Sequence, residues 1–273
     1  MQDSPIRRHH VQISGDPRAP ALLFAHGFGC DQRVWRFVAP AFEPDHRVVL
    51  FDHLGSGRSS PDAYSPTRHA TLQGYADDVV ELIERLGLRD VVFVGHSVGS
   101  TIGLLASLKN RGAFSRLVLL APSPCYLNFP PDYFGGFERS ELEELLRLIE
   151  RNDLAWASFL APVVMKNGER PELREELQQS FCSMEPGVAH RFAAATFLSD
   201  HRGELEGVRV PSLIMQCRDD SVAPPQVGEY LHRHLAGSTL RRLAATGHCP
   251  HMSHPEETVD VIRDYLREAA MAA

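Results

Sequence analysis

Short, continuous apolar runs recur along the chain, separated by stretches in which apolar residues return every three or four positions. The β-rich runs at 21–25, 47–51, 91–94, 117–121 and 212–216 predict strands, and a last strand is expected at Thr239–Leu243. Apolar residues at consecutive positions, without polar alternation, fit strands covered on both faces, as in a largely parallel sheet. The segment 10–14 predicts an antiparallel partner at the sheet edge. Over 72–86, Leu72, Tyr75, Val79, Leu82, Ile83 and Leu86 share one helical face, and Gly87 stands where a helix-ending glycine belongs. A final helix is expected to start near Pro255 and to bury Val259, Ile262 and Leu266. This alternation predicts an α/β fold with a mostly parallel, doubly wound sheet.

Between 123 and 203 the alternation stops and the reading is helical throughout. Ser140-Glu141-Leu142-Glu143 reads as a capping box, followed by Leu145, Leu146 and Ile149 at helical spacing. Trp156, Phe159, Leu160 and Val163 continue the pattern, with Pro162 as a kink. Pro171 opens a third segment (Leu173, Leu177, Phe181) and Pro186 a fourth (Val188, Phe192, Thr196). Four helices between two strands predict an inserted cap over the carboxyl ends of the strands, where open α/β sheets bind small molecules. The expected division is a core of residues 1–122 and 204–273 and a helical cap of residues 123–203.

Length and composition narrow the choice of class. The chain has 273 residues, of which 43% are hydrophobic, enough for one large α/β core with an insertion. A net charge of −7 argues against nucleic acid or an anionic membrane as partner. No apolar run reaches the length of a membrane span, and Met1–Arg8 carries no signal-peptide pattern. The five cysteines, odd in number and without paired spacing, read as reduced thiols. The expectation is a cytoplasmic protein.

Chemistry enters at 91–100. Four strand-forming residues run into Gly95-His96-Ser97-Val98-Gly99, and a helical stretch follows. This is a G-x-S-x-G elbow in strand–turn–helix context, with Ser97 as nucleophile. A serine hydroxyl needs a base and an orienting acid. Past the strand 212–216 come Asp219 and Asp220; Asp220, four residues before Pro224, is the favoured acid, and Asp219 reads as a turn residue. Past the last strand, Gly247-His248 offers the base, with His251 and His254 as rivals. The spacing His248-x-x-His251-x-x-His254 suggests a metal only weakly, because no carboxylate or cysteine pair accompanies it and Pro250 and Pro255 interrupt any helix. No metal and no cofactor are expected. The oxyanion hole needs two backbone N–H groups, expected from Val98 and, in the glycine-rich loop His26-Gly27-Phe28-Gly29, from Phe28. The glycine-containing stretch 52–59 lacks the third glycine of a dinucleotide loop and reads as a turn. Ligand-lining candidates are Phe28, His96, Tyr126, Phe134, Phe137, Trp156, Phe159 and Phe197.

With Phe28-Gly29-Cys30-Asp31-Gln32, the elbow, Pro122–Asn128, Tyr133–Glu138 and Gly247–Pro255, the chain resembles the RsbQ-like branch of the α/β-hydrolases over nearly its whole length. That branch holds a bacterial stress sigma-factor regulator and its relatives, the plant strigolactone and karrikin receptors. The resemblance implies a triad of Ser97, Asp220 and His248, oxyanion donors at Phe28 and Val98, and a four-helix cap over an apolar pocket. One departure is His26-Gly27, where the bacterial relative is expected to have Pro-Gly. The resemblance also implies two roles. One is hydrolysis of small apolar esters or lactones. The other is ligand sensing through a protein partner, such as a phosphatase, with slow or dispensable turnover. A dehalogenase would need Asp at position 97. A cofactor-free haloperoxidase or carbon–carbon hydrolase uses the same triad.

Overall fold

The computed structural model describes residues 4–151 and 155–271. Residues 1–3 and 272–273 of the expected core, and 152–154 of the expected cap, lie outside the described residues. The elements run α1 (Pro5–Arg8), β1 (Gln12–Ser14), β2 (Ala21–Ala25), β3 (Arg47–Leu50), α2 (Leu72–Arg85), β4 (Val91–His96), α3 (Val98–Lys109) and β5 (Phe114–Leu120). Then come α4 (Arg139–Glu150), α5 (Ala155–Met165), α6 (Pro171–Cys182) and α7 (Pro186–Phe197). The chain closes with β6 (Ser212–Asp219), α8 (Pro225–His234), β7 (Ser238–Thr246), α9 (Pro250–Ser253) and α10 (Pro255–Met271).

Among the described residues, a seven-stranded sheet has the order β1-β3-β2-β4-β5-β6-β7. Only the edge strand β1 is antiparallel, with Gln12 opposite Leu50; the other neighbours pair parallel. The chain leaves β2 for β3 on one side and returns to β4 on the other. The loops after β2 and β4 therefore diverge and open a crevice at the carboxyl end of the sheet. β2 and β4 are buried at every position, as strands covered by helices on both faces must be. α3 is buried almost all round and forms the helical centre of the core.

The helical insertion is where local reading and structure part. α4 starts at Arg139, not after Ser140. Glu138 is the N-cap, and its N–H is accepted by the Glu141 carboxylate at 2.8 Å. Two overlapping box patterns exist here. The side chain of Asn128 donates to Glu138 at 2.8 Å and anchors the earlier one. Pro162 lies inside α5. Among the described residues, no helix is long and apolar enough to cross a membrane.

Candidate active site

The turn from β4 into α3 forces two backbones together. A Cβ on Gly95 would sit 2.6 Å from the Gly99 backbone, and one on Gly99 would sit 2.6 Å from the His26 carbonyl oxygen. Between them Ser97 takes φ 55° and ψ −125°. Such a conformation costs a non-glycine residue about 1–3 kcal/mol and persists only where its surroundings enforce it. Here the Ser97 N–H is held by the Leu120 carbonyl at 2.9 Å.

The elbow presents Ser97 Oγ 2.7 Å from His248 Nε2, and His248 Nδ1 lies 2.7 Å from Asp220 Oδ2. A carboxylate only accepts, so Nδ1 carries the proton and Nε2 is left to accept from the Ser97 hydroxyl. The other Asp220 oxygen accepts from the N–H groups of Val222 (2.8 Å) and Ala223 (3.1 Å), which fixes the carboxylate plane. All three side chains are buried. Asp219 points the other way, to Lys166 at 2.5 Å. The other two histidines separate from His248: His251 packs its ring between Trp35 and His96, and His254 meets the Ser253 hydroxyl.

Val98 opens α3, so its N–H has no partner within the helix. Among the described residues, neither the Val98 nor the Phe28 N–H has a hydrogen-bond partner. The loop that carries Phe28 is braced by His26, which donates from Nδ1 to the Gly27 carbonyl (2.8 Å) and accepts at Nε2 from the His53 N–H (3.0 Å). Asp52 accepts from the N–H groups of Gln32 and Arg58, consistent with a turn at 52–59. The Phe28 ring lies against Trp156, Phe181, Phe192 and Phe197, at centroid distances of 5.6–6.3 Å.

His96 lies beneath the elbow serine, against the ring of His248. Its Nε2 donates to the His248 carbonyl at 2.8 Å, and among the described residues its Nδ1 has no partner. Burial, with His251 and His248 as neighbours, pushes its pKa well below the ordinary value. Burial, and then His248 and Arg36, lowers His251 to about 3. Burial also lowers His9, His26 and His53. These imidazoles stay neutral in the native state, whereas in the unfolded chain they take up protons near pH 6.5. The unfolded state then binds more protons, so stability is fully present above about pH 6.5 and is lost as pH falls toward the native values. The melting temperature is expected to fall between pH 7 and pH 5. His251→Phe, which removes two buried ring nitrogens without partners, should raise it more at pH 5 than at pH 7. An equal shift at both pH values would show that His251 titrates alike in both states.

Around Ser97 lies a small apolar cavity of about 30 Å³. Phe28, Phe137, Phe197 and His96 line it, together with Leu145, Leu160, Leu177 and Phe181 of the helical insertion, Val222, and the thiol-bearing Cys30 and Cys249. Tyr126 touches the elbow serine itself: its hydroxyl lies 3.3 Å from Ser97 Oγ. Burial raises its pKa, so it remains a proton donor. Three expected lining residues belong elsewhere. Phe134 is half exposed, and Phe159 is 67% exposed. Phe159 instead lines an outer groove between α4 and α5 that shares Phe137, Leu145 and Leu160 with the inner cavity. Trp156 stands one layer back, stacked on Phe181 at 5.2 Å. Phe181 was visible in the sequence only as a core position of its helix.

A model of the "Alpha/beta hydrolase family" matches residues 22–261. The chain belongs to the alpha/beta hydrolase family. Among its relatives in that family is the "Karrikin insensitive 2 receptor CA" of Petunia hybrida, 37% identical over 94% of this chain and 95% of that protein. The "Strigolactone esterase RMS3" of Pisum sativum is 37% identical over 90% of this chain and 91% of that one. Among solved structures, a hydrolase from Oleispira antarctica superposes with a TM-score of 0.94 at 42% identity, covering 97% of each chain. The Oleispira antarctica hydrolase superposes over nearly the whole chain, helical insertion and sheet included.

Proposed function

We propose that this alpha/beta hydrolase cleaves small, uncharged, apolar esters or lactones by acyl transfer. The observation that carries the reading is the unbroken 2.7 Å–2.7 Å relay from Ser97 through His248 to Asp220, opening on a cavity lined by apolar side chains. In this reading Ser97 Oγ attacks the carbonyl carbon while His248 Nε2 takes its proton. The N–H groups of Phe28 and Val98 bind the oxyanion. His248 then protonates the leaving alcohol, and water releases the acyl group by the same steps in reverse. Asp220 holds the tautomer. Tyr126 donates toward the reacting oxygens. The α4–α7 insertion acts as a cap that excludes water and sets size.

Size and charge test this. The cavity at Ser97 is small and its lining apolar, so acetate and butyrate esters are expected to turn over and long-chain or anionic esters to be rejected. An unpaired charge in such a lining is costly. Phe137, like Leu145 and Leu160, lines both the cavity and the outer groove, so Phe137→Ala should join the two and extend the accepted chain length. Phe197→Ala should widen the cavity from the inside. Trp156→Ala, one layer back, should lower the melting temperature without changing the profile, at a cost of about 3–5 kcal/mol. A p-nitrophenyl ester series with melting curves reads all three. Equal activity on acetate and palmitate in the wild type would overturn the size limit.

A second reading rests on the relatives named receptors. In it the chain is a ligand sensor of the RsbQ-like branch that acts through a protein partner, such as a phosphatase, with turnover slow or dispensable. Persistence of partner-dependent signalling in Ser97→Ala would favour it.

A further inference from the structure

The base of the relay stands on a loop, and that loop is seated on the helical insertion. The carbonyls of the last turn of a helix have no partners within it. In α5 two of them lie against the loop after β7. Val164 C=O accepts the His248 N–H at 2.7 Å, and a Cβ on Gly247, which takes φ +83°, would lie 2.3 Å from the Met165 oxygen. The chain then reverses through two consecutive left-handed, non-glycine residues, Lys166 (φ 50°) and Asn167 (φ 43°). Such a pair is strained and needs an enforcing partner. The reversal brings the buried Asn167 amide back: Nδ2 donates to Met165 C=O at 2.8 Å and to Thr246 C=O at 2.9 Å. The Lys166–Asp219 ion pair is solvent-exposed and adds little. The peptide of His248 is thus held from both sides, by Val164 at its N–H and by His96 at its C=O.

We infer that Asn167, in the insertion and outside the relay, is a positioning residue: it locks the end of α5 to the 246–248 loop and so sets the distance from His248 to Ser97. The seat also makes alignment of the base depend on where α5 lies, so displacement of α5 would misalign the relay.

The inference rests on the ester-hydrolase reading for its kinetic arm only. Asn167→Asp keeps size and left-handed tolerance but replaces the donor by an acceptor. Asn167→Gly removes the amide and also relaxes the strained backbone, so its melting temperature should hold. Both are expected to lose roughly 10–100-fold in kcat on p-nitrophenyl acetate with KM close to the wild type. Independently of turnover, the low-field Nδ1 proton of His248, bonded to Asp220, should be resolved by NMR in the wild type and broadened in both variants. Full kcat in Asn167→Gly overturns the inference, even if Asn167→Asp is slow. So does an unchanged low-field proton in both variants. A wild type inert toward esters would sink the hydrolase reading and leave the NMR arm to decide.

Discussion

Ser97→Ala is expected to lower turnover of a short p-nitrophenyl ester by roughly 10⁴- to 10⁶-fold. What survives is the catalysis that binding and the oxyanion N–H groups supply without a nucleophile. The fold should not suffer, because alanine keeps the Cβ that the elbow already accommodates at φ 55°. Ser97→Gly should be equally inactive yet more stable, because glycine occupies that backbone region without penalty. Stability and activity at one position would then move in opposite directions. Near-wild-type turnover in purified Ser97→Ala, with contaminating esterase excluded, would remove Ser97 from the reaction.

Asp220→Asn is expected to cost about 10⁴-fold in kcat, and Asp219→Asn less than about threefold. The two neighbours differ in what faces them. Asp220 is 4% exposed and accepts from His248 Nδ1. An amide there can turn its NH2 toward the ring, which stabilises the tautomer that cannot accept the serine proton. Asp219, itself 59% exposed, meets the ammonium of Lys166, a pairing typically worth about 0–1 kcal/mol. Side-by-side kcat values decide the matter, and a reversed ranking would make Asp219 the acid.

Local features were the legible ones. The elbow is contiguous, so strand, turn and helix announce it within ten residues. The central strands β2 and β4 read directly because both faces are covered and their apolar runs are nearly uninterrupted, whereas β7 carries Arg241 and Arg242 on exposed positions. The spacing to Pro224 favours Asp220 over Asp219, but the divergence of the two adjacent side chains belongs to the loop conformation and is not written in the spacing. The insertion was harder for a physical reason. α5 reads Ala-Trp-Ala-Ser-Phe-Leu-Ala-Pro-Val-Val-Met, apolar on every side, so periodicity cannot select its inward face. Leu160 and Val164 turned inward, and Phe159 outward. The Asn167 seat left no signal at all, because it joins residues 79 positions apart.

The ring of Phe28 carries a consequence for modularity. Its backbone N–H is one of the two oxyanion donors proposed here, while its side chain is gripped by Trp156 of α5, Phe181 of α6, and Phe192 and Phe197 of α7. Sheet and insertion are therefore not a catalytic unit plus an accessory. A shortened chain lacking α4–α7 would lose the packing that fixes its own oxyanion loop. A foreign insertion grafted between β5 and β6 would have to bring aromatic rings to the same four places before it could change specificity. Transplantation between relatives should succeed when the Phe28 cage travels as a block and fail when only the residues facing the substrate are exchanged.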